Sequence, residues 1–191
     1  MQVVMPSESA QMFHLLRGQV LRPMRKPLVV VVSKQLLRFK GAMSELSAFT
    51  DGAFKPVITE PQPQNASQIK RVILCSGQVY YDVLDARKQR GLDDDVAIVR
   101  VEQLYPFPAA ELNDVLANWP ECNEWIWLQE EPENQGAWRQ IRHELAALKI
   151  NHPYWHYAGR PAAAAPATGY GRVHKQQIDE FLAAAFADIQ L

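Results

Sequence analysis

The chain has 191 residues, 48% of them hydrophobic, and a formal net charge of −1. That apolar content supplies a core and excludes disorder, and the near balance of charge argues against a general nucleic-acid or membrane-surface binder. Two cysteines, Cys75 and Cys122, are too few for a disulfide scaffold and suit a reducing compartment; no stretch approaches the ~20 apolar residues of a membrane helix.

Val3 to Met5 gives a short apolar start, and no basic-then-apolar leader precedes it. Ser7 is placed to cap a helix, with Gln11 in its first turn. Met12, Leu15, Leu16 and Val20 then recur at helical spacing, until Pro23 and Pro27 end the helix. Leu28-Val29-Val30-Val31-Val32 is an unbroken apolar run, four of its five residues β-branched. Such a run predicts a strand buried on both faces. Residues 1–33 therefore read as strand, helix, strand. One such unit cannot bury two apolar faces alone, so it should pack on something larger.

Residues 34–68 read as a linker and a domain boundary. They carry basic Lys34, Arg38 and Lys40 and the prolines Pro56, Pro61 and Pro63, with little periodicity. From residue 69 to 191 strands and helices alternate. Val72-Ile73-Leu74-Cys75 is a buried strand in which Cys75 is a small hydrophobe. Ser76-Gly77 turns into a helix carrying Val79, Val83 and Leu84, which Gly91 closes. The run at 96–101 is the next strand, Pro106 and Pro108 bracket a turn, and Leu112, Val115 and Leu116 ride a helix. Strand 124–128, helix 138–148, strand 154–158 and an amphipathic helix at 174–186 complete the order. Such alternation predicts a three-layer α/β/α sandwich around a mostly parallel sheet. Pro161 and Pro166 keep the alanine-rich run at 162–167 from being helical.

Ligands of open α/β sheets gather beyond the carboxyl ends of the strands. Three turns are expected at that edge. Ser76 and Gly77 lead into a helix N-terminus, which can hold an anion, although the pair lacks a phosphate-loop spacing and is more simply a strand-to-helix turn. Glu130 and Glu131 precede Asn134, Gln135 and Trp138. Adjacent carboxylates on an extended segment point to opposite sides, so helix capping and subunit contact are favoured over acid–base work or a metal. Arg160 follows a strand and could grip a carboxylate or phosphate, with a salt bridge to Glu130 or Glu131 as the simpler fate. These residues, with His174 at the start of the last helix, are the candidates for an effector or interface site. No catalytic, cofactor-binding or metal-ligating residue is assigned. His14, His143, His152, His156 and His174 lack metal-ligand spacing, and Trp125, Trp127, Trp138 and Trp155 read as core and interface.

Six blocks carry a resemblance, in one order along nearly the whole chain. They are Lys26-Pro27-Leu28-Val29-Val30, Gln35-Leu36-Leu37-Arg38, Leu74-Cys75-Ser76-Gly77-Gln78-Val79-Tyr80-Tyr81-Asp82 and Arg100-Val101-Glu102-Gln103-Leu104-Tyr105-Pro106-Phe107-Pro108. To these are added the segment from Gln129 to Trp138 and the segment from Tyr157 to Tyr170. Together they resemble the C-terminal region of the E1 component of 2-oxoglutarate dehydrogenase, a thiamine-diphosphate-dependent, transketolase-like family of the tricarboxylic acid cycle. The resemblance implies an oxidoreductase that decarboxylates 2-oxoglutarate and passes the succinyl group to the lipoyl arm of the E2 component, dihydrolipoyl succinyltransferase. It implies thiamine diphosphate and Mg²⁺ in the full-length enzyme and a homodimer. The location would be the bacterial cytoplasm, or the mitochondrial matrix in a eukaryote.

On this resemblance residues 1–33 are the end of the pyrimidine-binding domain and 69–191 a transketolase-C-like domain that closes the dimer. The family's Gly-Asp-Gly…Asn motif, active-site histidines and activating glutamate are not in the chain, so the fragment alone is expected to be inactive, with dimer-building and effector-binding roles. The family has a serine among the alanines after Gly-Arg-Pro, where Ala162 to Ala165 stand here. The residues alone leave a second reading open, a stand-alone α/β ligand-binding or regulatory module.

Overall fold

The computed structural model describes residues 1–60, 66–151 and 154–187, so Pro61, Pro63 and His152 lie outside the described residues. The N-terminal unit is β1 (Gln2–Val4), α1 (Ser9–Leu21) and β2 (Leu28–Val30). A short helix α2 (Leu46–Thr50) and strand β3 (Val57–Thr59) follow. The remainder alternates as β4 (Arg71–Cys75), α3 (Val79–Arg90), β5 (Val96–Val101), β6 (Gln103–Tyr105), α4 (Ala109–Leu116), β7 (Glu124–Pro132), α5 (Trp138–Ala146), β8 (Trp155–Arg160) and α6 (Gly171–Phe186).

The apolar runs of β4, β5 and β7 are buried along their central lengths and form the middle of a five-stranded sheet in the order β3-β5-β4-β7-β8. All its pairings are parallel except that of the edge strand β3 with β5. Side chains alternate across β4, and each set finds its own helices. Val72 and Leu74 pack with Leu112 and Leu116 of α4 and with Ile141 and Leu145 of α5. Ile73 and Cys75 pack with Val79 and Val83 of α3 and with Phe181 and Leu182 of α6. The fold is therefore the expected α/β architecture, with helices on both faces of a mostly parallel sheet. Gly91 ends α3 in the left-handed region, at φ 67°, where its N–H meets the last carbonyls of the helix. Cys75 has no solvent exposure, and burial pushes its thiol far above the ordinary range, as suits a packing residue.

Four local expectations are corrected. Residues 34–68 are not a bare linker, because they carry α2 and β3, and β3 pairs antiparallel with β5 through Val57↔Val101. Three-residue strands are too short to show a period. The run at 28–32 is not buried on both faces. Its strand β2 forms one edge of a second sheet, β2-β1-β6, and leaves Val29, Val31 and Val32 at 40%, 43% and 41% exposure. The third strand of that sheet, β6, was not expected, and it lies just before the turn that Pro106 and Pro108 bracket. Finally, Ser7 is not a helix cap: α1 starts at Ser9, Glu8 holds the cap position, and Ser7 is fully buried.

Candidate functional site

The carboxyl edge of the main sheet faces the N-terminal unit across a cleft of ≈ 490 Å³. One wall is Val3, Met5 and Val31 of that unit, another is Leu104, Tyr105 and Phe107, and the base reaches Trp127. The polar lining is Ser76, Gln129, Glu131, Gln140, His143 and Glu144. The volume is that of a small-molecule site, and an apolar wall with few polar groups is the usual composition of one.

Each polar group on this edge has a traceable origin. Ser76 leaves β4 and donates through Oγ to the carbonyl of Val101 at 2.6 Å. Gly77 follows at φ 70°, and a Cβ there would lie 2.8 Å from Cε of Met5. The positive φ favours glycine at this turn. Gln78, at the start of α3, bonds the hydroxyl of Ser33 and donates to Oε1 of Gln35 at 2.8 Å. The helix start is thus covered by the N-terminal unit and its following loop.

Gln129 organises the next turn, and it is the residue that sequence reasoning missed. Its side chain is buried. Oε1 accepts from Nε1 of Trp127 and from the backbone N–H of Trp138, both at 3.0 Å. Nε2 donates to the carbonyls of Glu131, Pro132 and Gln135 at 3.3, 3.2 and 2.8 Å. One side chain thereby closes the chain from the end of β7 to the start of α5. Its sequence signal was faint: a lone glutamine among aromatic residues just before two glutamates.

The expected turn at Glu130-Glu131 is instead the tail of β7, which runs to Pro132 with a register shift between Leu128 and Pro132. Glu131 lines the cleft, whereas Glu130 does not. Glu130 is pushed above the usual carboxylate range, first by burial and then by the charges of Glu131 and Asp82, with Arg160 opposing. Asp82 is raised as well, by burial and by Asp85, and His174 offsets this in part. His174 is exposed in the first turns of α6.

Arg160 is buried at the end of β8. The expected salt bridge to Glu130 or Glu131 is not among its bonds. Its Nε donates to the backbone carbonyl of Glu130 at 2.6 Å, and an Nη donates to the carbonyl of Pro166. Asn134 exchanges two hydrogen bonds with the backbone of Ala163, at 2.9 and 3.0 Å, and Gln135 adds a third at 3.1 Å. Trp138 stacks at a tilt 5.4 Å from Tyr157. The nine sequence-derived residues therefore fall into groups. Ser76 and Glu131 share the cleft. Arg160, Asn134 and Gln135 fasten the alanine-rich loop. Glu130 and His174 are linked through Asp82, which raises the first and is itself offset by the second. Gly77 and Trp138 set the two turns, and Arg160 is not part of the cleft lining.

The arrangement of Arg160 predicts its variant. Arg160→Ala removes two charge-assisted bonds and leaves two carbonyls without their donors, an expected loss of about 1–3 kcal/mol. A melting temperature unchanged within error would show that the guanidinium does not brace this loop.

The donor set at the cleft does not fit a diphosphate with Mg²⁺. Its charged side chains are the carboxylates Glu131 and Glu144, and neither lysine nor arginine lines it. Among the described residues no group of three or more His, Cys, Asp or Glu side chains converges as a metal site. No helix there is long and apolar enough to cross a membrane.

A family model described as 2-oxoglutarate dehydrogenase C-terminal matches residues 43–186. Similar curated proteins are named 2-oxoglutarate dehydrogenase E1 component. That of Cupriavidus necator is 47% identical over 100% of this chain and 20% of its own length. That of Azotobacter vinelandii is 46% identical over 97% and 20%. That of Coxiella burnetii is 48% identical over 91% and 19%. The chain thus spans about one fifth of the length of the curated relatives it matches.

Proposed function

Because the chain belongs to the 2-oxoglutarate dehydrogenase C-terminal family, we propose that its residues act as the C-terminal portion of an E1 component that decarboxylates 2-oxoglutarate and succinylates the lipoyl group of E2. The carrying observation is the end-to-end match to one fifth of such proteins. Thiamine diphosphate and Mg²⁺ would supply the decarboxylation chemistry of the whole enzyme, bound outside these residues. The carboxylate-lined cleft supports that division, since it repels a diphosphate. The division at residues 33 and 68 follows the same resemblance: the end of a pyrimidine-binding domain, a connecting segment, and a transketolase-C-like domain.

The role proposed for this portion is assembly. The exposed apolar edge at β2 supports it, because an edge strand paired on one side only and carrying exposed valines offers both hydrogen bonds and apolar area to further chain. A homodimer completed by the 69–191 domain is the form we infer. Ser76, Glu131 and Trp138 would then lie on or near faces that meet other chain, while Arg160, Asn134 and Gln135 hold the alanine-rich loop in shape. An effector in the cleft would have to be neutral or cationic, given Glu131 and Glu144.

Calorimetric titration of the 191-residue chain with thiamine diphosphate and Mg²⁺ is expected to give no saturable signal at micromolar cofactor. A one-site isotherm would overturn the proposed division and favour a self-sufficient module.

A further inference from the structure

The junction between the N-terminal unit and the main sheet is built on a buried carboxylate. Glu102 follows β5, and none of its surface is exposed. Both of its oxygens are met by one residue: the backbone N–H of Ser7 donates to Oε2 at 2.8 Å, and its hydroxyl donates to Oε1 at 2.5 Å. Its backbone joins the same seam, accepting from the N–H of Met5 at 2.7 Å and donating to the carbonyl of Pro56 at 2.8 Å. The nearest cation, Arg100 of β5, is committed elsewhere. One of its Nη atoms donates to Oγ of Ser7 at 2.9 Å and to Oε2 of Glu8 at 3.0 Å, and its guanidinium lies 4.5 Å from the ring centre of Tyr80. The other groups facing the cluster are Tyr81 of α3, whose hydroxyl donates to the carbonyl of Ser7 at 2.8 Å, and the buried thiol of Cys75 on β4.

We infer that Glu102 is a proton-sensitive latch: protonated, it holds the Met5–Ser7 segment against the sheet, and ionised, it favours release of that segment. The physical reason is solvation. A fully enclosed carboxylate needs several donors or a direct cation to offset the loss of water. Among the described residues Glu102 has two donors, both on Ser7, while Arg100 reaches it only through the Ser7 hydroxyl and shares its charge with Glu8. The carboxylate gains water by letting Ser7 go. A protonated carboxyl has no such demand, and it can keep the short contact by donating to Oγ of Ser7.

The electrostatics of the site agree with this geometry. Burial raises Glu102 from 4.5 to about 7, against the opposing effects of the Ser7 bond and of Arg100. A carboxyl whose folded value lies above its unfolded value stabilises the junction fully below the unfolded value, and that stability is lost as pH rises through the folded value. The window runs from 4.5 to about 7, so release is an effect of rising pH and is complete above it. Met5 and Val3 leave with Ser7, and both wall the cleft. The latch therefore also governs access to that cleft, whatever occupies it.

Amide exchange tests this on the whole chain. Protection factors over Gln2–Val4 and Leu28–Val30, corrected for intrinsic exchange, are expected to fall by up to about tenfold per pH unit between 4.5 and about 7 and to level off above that. Those over Arg71–Cys75 should stay flat. Glu102→Gln keeps an acceptor for the Ser7 N–H and a donor for its hydroxyl without any charge, so it should abolish the pH slope. A slope that persists unchanged in Glu102→Gln, or no slope in the parent chain, overturns the latch. Should the variant fail to fold, the carboxyl carbon of Glu102 in the parent chain decides by NMR. A midpoint near neutrality supports the latch, and one in the ordinary carboxylate range overturns it.

Discussion

Truncation of Trp127 to alanine is expected to destabilise the chain by about 3–5 kcal/mol, the largest effect predicted for any single side chain here. Trp127 lies at the centre of β7 with no solvent exposure. Its indole packs in the cluster that joins Leu74, Val99 and Val101 to Leu112 and Ile141. Two losses add in the variant. Removing the indole leaves a cavity at the base of the cleft, and a packed sheet flanked by helices relaxes only in part. The Nε1 donor to Gln129 also disappears, leaving Oε1 with the Trp138 N–H alone. Trp127→Phe separates the two, because it restores most of the apolar area but not the N–H. An expected cost of about 1–2 kcal/mol for phenylalanine isolates the hydrogen bond and the imperfect fit. Urea unfolding at constant m reads both values. An alanine variant within about 1 kcal/mol of the parent would mean that this side of the sheet carries little of the fold's stability.

What could be read directly from the chain was whatever depends on neighbours in sequence. The runs at 72–75, 96–101 and 124–128 announced strands of the sheet because all their residues except Arg100 and Glu124 are apolar, and they lie in its three inner strands. Gly91 announced the end of α3 because a left-handed position after a helix has few other solutions. Several of the misses depend on partners far away in sequence. Ser7 has the local look of a helix cap, and its partner Glu102 is 95 residues distant. Strand β6 is three residues long and exists because β1 lies beside it. Val29, Val31 and Val32 read as buried because they are valines, and burial also needs a second surface. Arg160 was expected to seek a carboxylate, but backbone carbonyls, which leave no mark in sequence, take its guanidinium instead.

Gln129→Ala is expected to cost about 3–4 kcal/mol, close to the tryptophan truncation although almost no apolar area is lost. The effect lies in what the side chain leaves behind. Five partners face it: the indole N–H of Trp127, the N–H of Trp138, and the carbonyls of Glu131, Pro132 and Gln135. These groups lie in and beside the protein interior, where an unpaired donor or acceptor costs about 1–3 kcal/mol before any water can enter. Gly136 fixes the geometry further. It sits at φ 65°, and a Cβ there would come within 2.8 Å of Nε2 of Gln129, so the turn is wrapped closely around this amide. Gln129→Glu distinguishes a hub from a space filler. The carboxylate keeps the acceptor for Trp127 and Trp138 but turns a negative charge toward three carbonyls. That variant should be strongly destabilised at neutral pH and should recover part of the loss as pH falls and the carboxyl regains a proton to donate. A Gln129→Glu chain as stable as the parent at neutral pH, or one indifferent to acid, would show that shape rather than hydrogen bonding holds the turn from β7 into α5.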